Sequence, residues 1–270
     1  MNAIDTLFQR LRADGKKALI AFLPAGDPNL DATAFLAREI AQHGASLIEI
    51  GFPYSDPLAD GPVIQASYTR ALEKGIRVDD IFKCVHEISR NGARGVPLIG
   101  MLSYSLILPR GSEAFLQQAE EAGLSGAIVP DLPIEEAVSF AEQAKKHDFK
   151  LIHLVTPTTP RDRAVQIAKL STGFLYYVSV AGITGERDSL PEDLLREIAW
   201  LRSQTDLPIC VGFGISKPEQ ARMLREVADG IIVGSAFVRR LEEAGKRSMT
   251  EIAHNMAELA ATLAAALKPP

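Results

Sequence analysis

The chain has 270 residues, 47% of them hydrophobic, and a formal net charge of -5, which suits one large domain or two small ones with a sizeable core. No Lys/Arg run exceeds two residues, which argues against a nucleic-acid surface. Cys84 and Cys210 stand far apart with no CxxC or Cys/His spacing, and no 18-residue apolar span occurs, so zinc, a disulfide framework and a membrane segment are not expected and a cytoplasmic setting fits.

The N-terminal stretch from Met1 to Arg12 reads as an amphipathic helix with charges of both signs, neither a signal peptide nor an anchor. Apolar runs of strand length then recur at Ala18 to Pro24, Ser46 to Gly51, Pro97 to Leu102, Gly126 to Val129, Lys150 to Val155, Phe174 to Val180, Pro208 to Gly212 and Gly230 to Gly234. Between them helical periodicity predicts helices over 30–43, 62–74 with 78–91, 111–122, 135–146, 160–170, 191–204, 217–226 and 235–243, with a last one over 248–266. Eight strand-then-helix units predict an α/β fold, a (β/α)₈ TIM barrel with extra N-terminal and C-terminal helices, as a single domain over 1–270. A doubly wound sheet would place a Gly-rich fingerprint after the first strand, and Pro24-Ala-Gly-Asp-Pro28 has no GxGxxG.

Chemistry on such a barrel sits at the C-terminal ends of the strands. The second strand carries Glu49 in its middle, on the face opposite Ile48 and Ile50, and empties into a loop holding Asp56 and Asp60. Two readings stand for Glu49. It is either a structural glutamate paired with a cation from another strand, or a desolvated carboxyl whose raised pKa suits proton transfer. The other strand ends are mostly apolar: Phe22, Leu102, Tyr104, Ile128, Ile152 and Phe213 would suit a flat hydrophobic ligand, or they are ordinary barrel-core layers. Glycines gather after the sixth, seventh and eighth strands, in Gly182-Ile-Thr-Gly185, Gly212-Phe-Gly214 and Gly234-Ser235, where backbone N–H groups can surround a phosphate. The five histidines show no metal spacing, and no lysine lies inside a strand where a Schiff base would need it. Acid–base chemistry by carboxylates on a phosphorylated, partly apolar substrate remains, with no metal and no cofactor in this chain.

The segment Leu47-Ile-Glu-Ile-Gly-Phe-Pro-Tyr-Ser-Asp-Pro-Leu-Ala-Asp-Gly-Pro62 resembles the signature of the tryptophan synthase α chain family. Phe22-Leu-Pro-Ala-Gly-Asp-Pro28, Val129-Pro-Asp-Leu-Pro-Ile-Glu-Glu136, Gly182-Ile-Thr-Gly185, Gly212-Phe-Gly-Ile-Ser216 and Val233-Gly-Ser235 extend the resemblance over nearly the whole chain. It implies a lyase of tryptophan biosynthesis that splits indole-3-glycerol phosphate into indole and D-glyceraldehyde 3-phosphate by retro-aldol cleavage. In that reading Glu49 is the acid–base group and Asp60 holds the indole N–H. Phe22, Leu102, Tyr104, Ile128, Tyr176 and Phe213 match the indole pocket, Gly185, Gly214, Gly234 and Ser235 the phosphate site, and Thr184 helps a lid over 181–190 close over Asp60. The resemblance also implies a β chain partner in an α₂β₂ heterotetramer, with pyridoxal phosphate in the β chain. The chain departs from many family members at Leu106, two residues beyond Tyr104 in a loop facing the partner, and from some at Val180 before the lid. A free-standing indole-releasing lyase and a non-catalytic phosphate-binding regulatory barrel are the competing expectations.

Overall fold

The computed structural model describes residues 1–57, 60–93, 95–179, 193–212 and 214–269. Among them the strands are β1 (Ala18–Pro24), β2 (Leu47–Gly51), β3 (Leu98–Met101), β4 (Leu124–Ile128), β5 (Lys150–Ile152), β6 (Leu154–Val155), β7 (Leu175–Val178), β8 (Ile209–Gly212) and β9 (Gly230–Val233). The helices are α1 (Ala3–Ala13), α2 (Leu30–Gln42), α3 (Pro62–Leu72), α4 (Val78–Glu87), α5 (Tyr104–Ile107), α6 (Ser112–Ala122), α7 (Ile134–Lys146), α8 (Arg161–Leu170), α9 (Leu194–Arg202), α10 (Pro218–Leu224), α11 (Ser235–Leu241) and α12 (Met249–Ala266).

All strand pairs are parallel, in the order β5-β4-β3-β2-β1-β9-β8-β7-β6. The expected fifth strand is broken in two at His153, which makes nine strands of eight positions. Its first half pairs with β4 and its second with β7, so the ring closes through this one segment. The break has an identifiable cause: the His153 amide donates to Ser171 Oγ (3.1 Å) rather than to a strand, while its carbonyl accepts from the Tyr176 amide (3.1 Å). The short α5, with the 3₁₀ turn Leu108–Arg110 behind it, was not anticipated; Ser103 caps it by accepting from the Ser105 amide (3.1 Å).

Side-chain alternation divides the buried residues into two sets. Leu19, Ala21, Leu23, Ile48, Ile50, Leu175, Tyr177, Ile209, Val211, Ile231 and Val233 pack outward under the helices. Ala18, Ile20, Phe22, Leu47, Ile99, Met101, Ile128, Ile152, Tyr176, Val178, Cys210 and Ile232 fill the barrel. Ile4, Leu7, Phe8 and Leu11 of α1 belong to the inner set, and Phe8 lies 5.7 Å from the Phe174 ring, so α1 packs into the interior cluster from one side of the barrel. Asn2 anchors it: its Oδ1 accepts from the Ile4 amide (2.9 Å) as N-cap, and its Nδ2 donates to the carbonyls of Ser125 (2.9 Å) and Asp148 (2.5 Å). At the other end Val63, Ile64 and Tyr68 of α3 and Val238 of α11 also join the inner set. These two helices lean over the mouth where the strands end.

Candidate active site

Glu49 is placed by register. Phe22 of β1, Glu49 of β2 and Ile99 of β3 are Cα partners across the sheet, and both Phe22 and Ile99 point inward. Glu49, flanked by the outward Ile48 and Ile50, therefore projects into the barrel, where it is 1% exposed. Gly51, next on the same face, makes room above it. A Cβ there would lie 2.5 Å from the Phe22 ring and 2.6 Å from the Tyr68 hydroxyl, closer than side-chain atoms tolerate.

Asp60 comes from the loop after β2, immediately before Gly61, the N-cap of α3, and is also 1% exposed. Among the described residues neither of its oxygens has a hydrogen-bond partner, nor does Glu49 Oε2 or the Tyr68 hydroxyl. Buried polar atoms are nearly always satisfied, so four unpartnered ones around one space point to a ligand that completes them. Burial, and then the charge of Asp60, push the Glu49 carboxyl up to about 8, and among the described residues no cation acts on it. Burial pushes Asp60 up to about 7 against the pull of the Tyr54 hydroxyl, which faces it without closing to a well-formed hydrogen bond. A structural glutamate would need a cation partner, and none of the described residues supplies one. Near neutral pH, Glu49 carries a proton it can give and Asp60 is poised to be an anion.

Tyr176 of β7 faces the pair from across the barrel, its hydroxyl raised well above the usual range by burial and then by the charges of Glu49 and Asp60. Its ring lies over Gly212, where a Cβ would meet the hydroxyl at 2.3 Å. β8 and β9 end side by side, with Gly212 opposite Ile232, which brings Gly214 and Gly234-Ser235 to one corner of the mouth. Gly214 has φ 76°, in the left-handed region that favours glycine, and Ser235 opens α11 with its first backbone N–H groups at that corner.

The chain as a whole has relatives. The family model described as tryptophan synthase alpha chain matches residues 8–268. The chain belongs to the tryptophan synthase alpha chain family. Tryptophan synthase alpha chains of Rhodopirellula baltica and Synechococcus elongatus are 51% and 47% identical over 249 and 260 residues, covering 92% and 95% of this chain and 90% and 96% of those. A structure of tryptophan synthase from Mycobacterium tuberculosis superposes with TM-score 0.89 at 33% identity, covering 99% of this chain and 98% of that one. Tryptophan synthase subunit alpha from Legionella pneumophila gives TM-score 0.87 at 36% identity, with 99% and 98% covered.

Of the residues matched to the indole pocket of tryptophan synthase alpha chains, Phe22, Ile128 and Tyr176 face the barrel interior beside Glu49. Leu102 and Tyr104 belong to the other packing set. Leu102 packs in the outer set, and the partly buried Tyr104 sits against that set with its ring 6.4 Å from Phe140. Met101, one residue earlier, is the inward side chain of that strand end. Asp131 binds this turn together, accepting from Ser103 Oγ (2.6 Å) and from the Tyr104 amide (2.8 Å). Asp56 is exposed and accepts from Ser55 Oγ (2.7 Å). Phe213, Thr184, Gly185 and the expected lid over 181–190 lie outside the described residues. Sequence reasoning missed Tyr54 and Tyr68, whose rings pack 5.8 Å apart beside Asp60. The available signal was Tyr68 two helical turns after Asp60, on the same face of α3 as Ile64.

Among the described residues no group of three or more His, Cys, Asp or Glu is arranged to hold a metal ion, and no helix is long and apolar enough to cross a membrane.

Proposed function

We propose that the chain cleaves indole-3-glycerol phosphate to indole and D-glyceraldehyde 3-phosphate with Glu49 and Asp60 as its catalytic residues. The observation that carries this is a pair of buried carboxyls, both raised towards neutrality with no cation among the described residues acting on Glu49, in a mouth lined by Phe22, Ile128 and Tyr176. The apolar side chains suit the indole ring, and the glycine corner at Gly214, Gly234 and Ser235 suits the phosphate.

The chemistry needs a proton on indole C3 and the removal of one from the glycerol hydroxyl. Glu49 gives the first proton, which makes the ring an electron sink. As the carbon–carbon bond breaks, its electron pair flows into the ring, the hydroxyl carbon becomes the aldehyde, and the hydroxyl proton returns to Glu49. The carboxyl ends as it began. Asp60 accepts the indole N–H and its negative charge favours the positive ring, a stabilisation that grows in a water-excluded site.

The apolar indole would pass to a β chain that carries pyridoxal phosphate, in an α₂β₂ assembly. Family membership supports this partnership, and the cofactor would belong to the β chain. A free-standing lyase would work at full rate alone, whereas an α subunit gains turnover when a β chain is added.

Glu49→Gln keeps size and polarity but cannot exchange a proton. Its turnover should fall by about 10² to 10⁴-fold or more while substrate binding persists. Retention of more than about a tenth of parental turnover would return Glu49 to a structural role.

A further inference from the structure

Tyr68 does something the two carboxylates do not account for. It is a helix residue, on α3, yet its side chain is 1% exposed and belongs to the set that fills the barrel. Its hydroxyl reaches the end of β2, 2.6 Å from where a Cβ of Gly51 would stand, and there it has no hydrogen-bond partner among the described residues. Phenylalanine would fill the same space without an orphaned hydroxyl, so packing alone gives no reason for tyrosine. Its ring packs on Tyr54, whose hydroxyl also faces Asp60.

The groups around Asp60 are Glu49 on β2, Tyr54 on the following loop, Tyr68 on α3 and Tyr176 on β7, with Asp131, beyond β4, acting on Tyr54. Among the described residues no cation acts on these groups. Asp60 acts on the Tyr68 hydroxyl more strongly than Tyr54 or Glu49 does. An anion in this setting is held only by neutral donors, and the substrate's indole N–H supplies one, to one oxygen.

We propose that Tyr68 is a positioning residue for the lyase reaction, its hydroxyl donating to the Asp60 oxygen that the indole N–H leaves free and so holding that carboxyl ionised and aimed at the ring. The proposal rests on the function set out above. Burial keeps the phenol far from ionising, so it is a donor across the working pH range. It acts as substrate seats: the indole N–H takes one carboxyl oxygen and the other turns to the phenol.

The test is turnover of Tyr68→Phe against parent from pH 6 to pH 9. A charge-assisted hydrogen bond is worth about one pK unit to a carboxylate, so its loss raises the Asp60 pKa by about that much. The ratio of variant to parent turnover should then climb from about a tenth at pH 6 towards unity at pH 9. Loss of the Glu49 proton while Asp60 is ionised is common to both enzymes, so the ratio still approaches unity at high pH. A ratio that is flat with pH, whether at unity or below it, overturns the proposal, because a packing role has no reason to follow Asp60. The ¹³C titration of the Asp60 carboxyl, with substrate bound to Glu49→Gln and to Glu49→Gln/Tyr68→Phe, checks it without turnover: equal midpoints overturn it too. Glu49→Gln alone separates the two readings. If it stays active, the assignment of Glu49 fails, whereas an inactive Glu49→Gln beside a flat ratio sinks only the role of Tyr68.

Discussion

Glu49 shows how a residue chosen for chemistry works against the fold. Its pKa rises from 4.5 in the unfolded chain to about 8 in the protein because burial and Asp60 disfavour the charged form. A raised pKa means that folding is unhindered below about pH 4.5, where the carboxyl is neutral in both states, and loses stability as pH climbs towards about 8. Glu49→Gln, neutral throughout, should therefore melt higher than the parent at pH 7.5, by an amount equivalent to about 2–4 kcal/mol, and the gain should vanish by about pH 4.5. Thermal melts at the two pH values check it. Equal melting at pH 7.5 would mean that the site hydrates more than its burial implies. Such a stability gain alongside lost turnover is expected where a site is strained for function.

The elements that matter are those whose ends meet at the mouth. β8 and β9 supply the glycine corner, and the loop beyond β8 depends on the backbone of Gly214 at φ 76°. A β-branched residue there is strained by its own backbone and also places bulk where an anion must approach backbone N–H groups. Gly214→Val should weaken binding of glycerol 3-phosphate by tenfold or more, an order-of-magnitude expectation for losing close backbone contact to an anion. Isothermal titration would show it, and unchanged affinity would put the phosphate elsewhere. α3 is the second such element. It starts at Pro62, where the missing N–H is no loss, directly after Asp60 and the N-cap Gly61, and one helix thus fixes both Asp60 just before its start and Tyr68 on its inward face.

Across the molecule, α3 is tied to the first strand by a buried ion pair. Asp27, 1% exposed in the loop after β1, accepts from Arg70 Nε (3.1 Å) and Arg70 Nη2 (2.5 Å) and from Ser67 Oγ (2.5 Å). Removing one partner of a buried pair leaves the other uncompensated, which costs about 3–5 kcal/mol, and the low end applies because the Arg70 side chain is 35% exposed. Asp27→Ala should lower stability by about 3 kcal/mol in urea unfolding, and by loosening α3 it should also lower turnover although Asp27 lies outside the barrel interior. Parental stability in that variant would show the tie to be ornamental. With α1 packed into the interior cluster from one side and α3 and α11 leaning over the strand ends, the chain keeps its reactive groups at the rim.

Much of this was written locally. Alternation in Leu47-Ile-Glu-Ile-Gly51 separates Glu49 from Ile48 and Ile50 whatever the fold, because side chains of a strand alternate over any two residues, and eight strand-then-helix units require a parallel sheet wrapped by helices. The glycine runs announce close backbone approach for the same local reason. Three features were decided only by tertiary structure. In the third strand both faces are apolar, so nothing local says whether Leu98 and Leu102 or Ile99 and Met101 look inward. The pairing of Glu49 with Ile99 settles it, and Leu102 goes outward. The fifth strand breaks at His153 because Ser171, 18 residues away, takes its amide. Tyr68 reads in sequence as one more apolar position of an amphipathic helix. Only the packing of α3 over the barrel mouth carries its hydroxyl to the carboxylates, since proximity between a helix face and a strand end is a property of the closed ring and not of any segment within it.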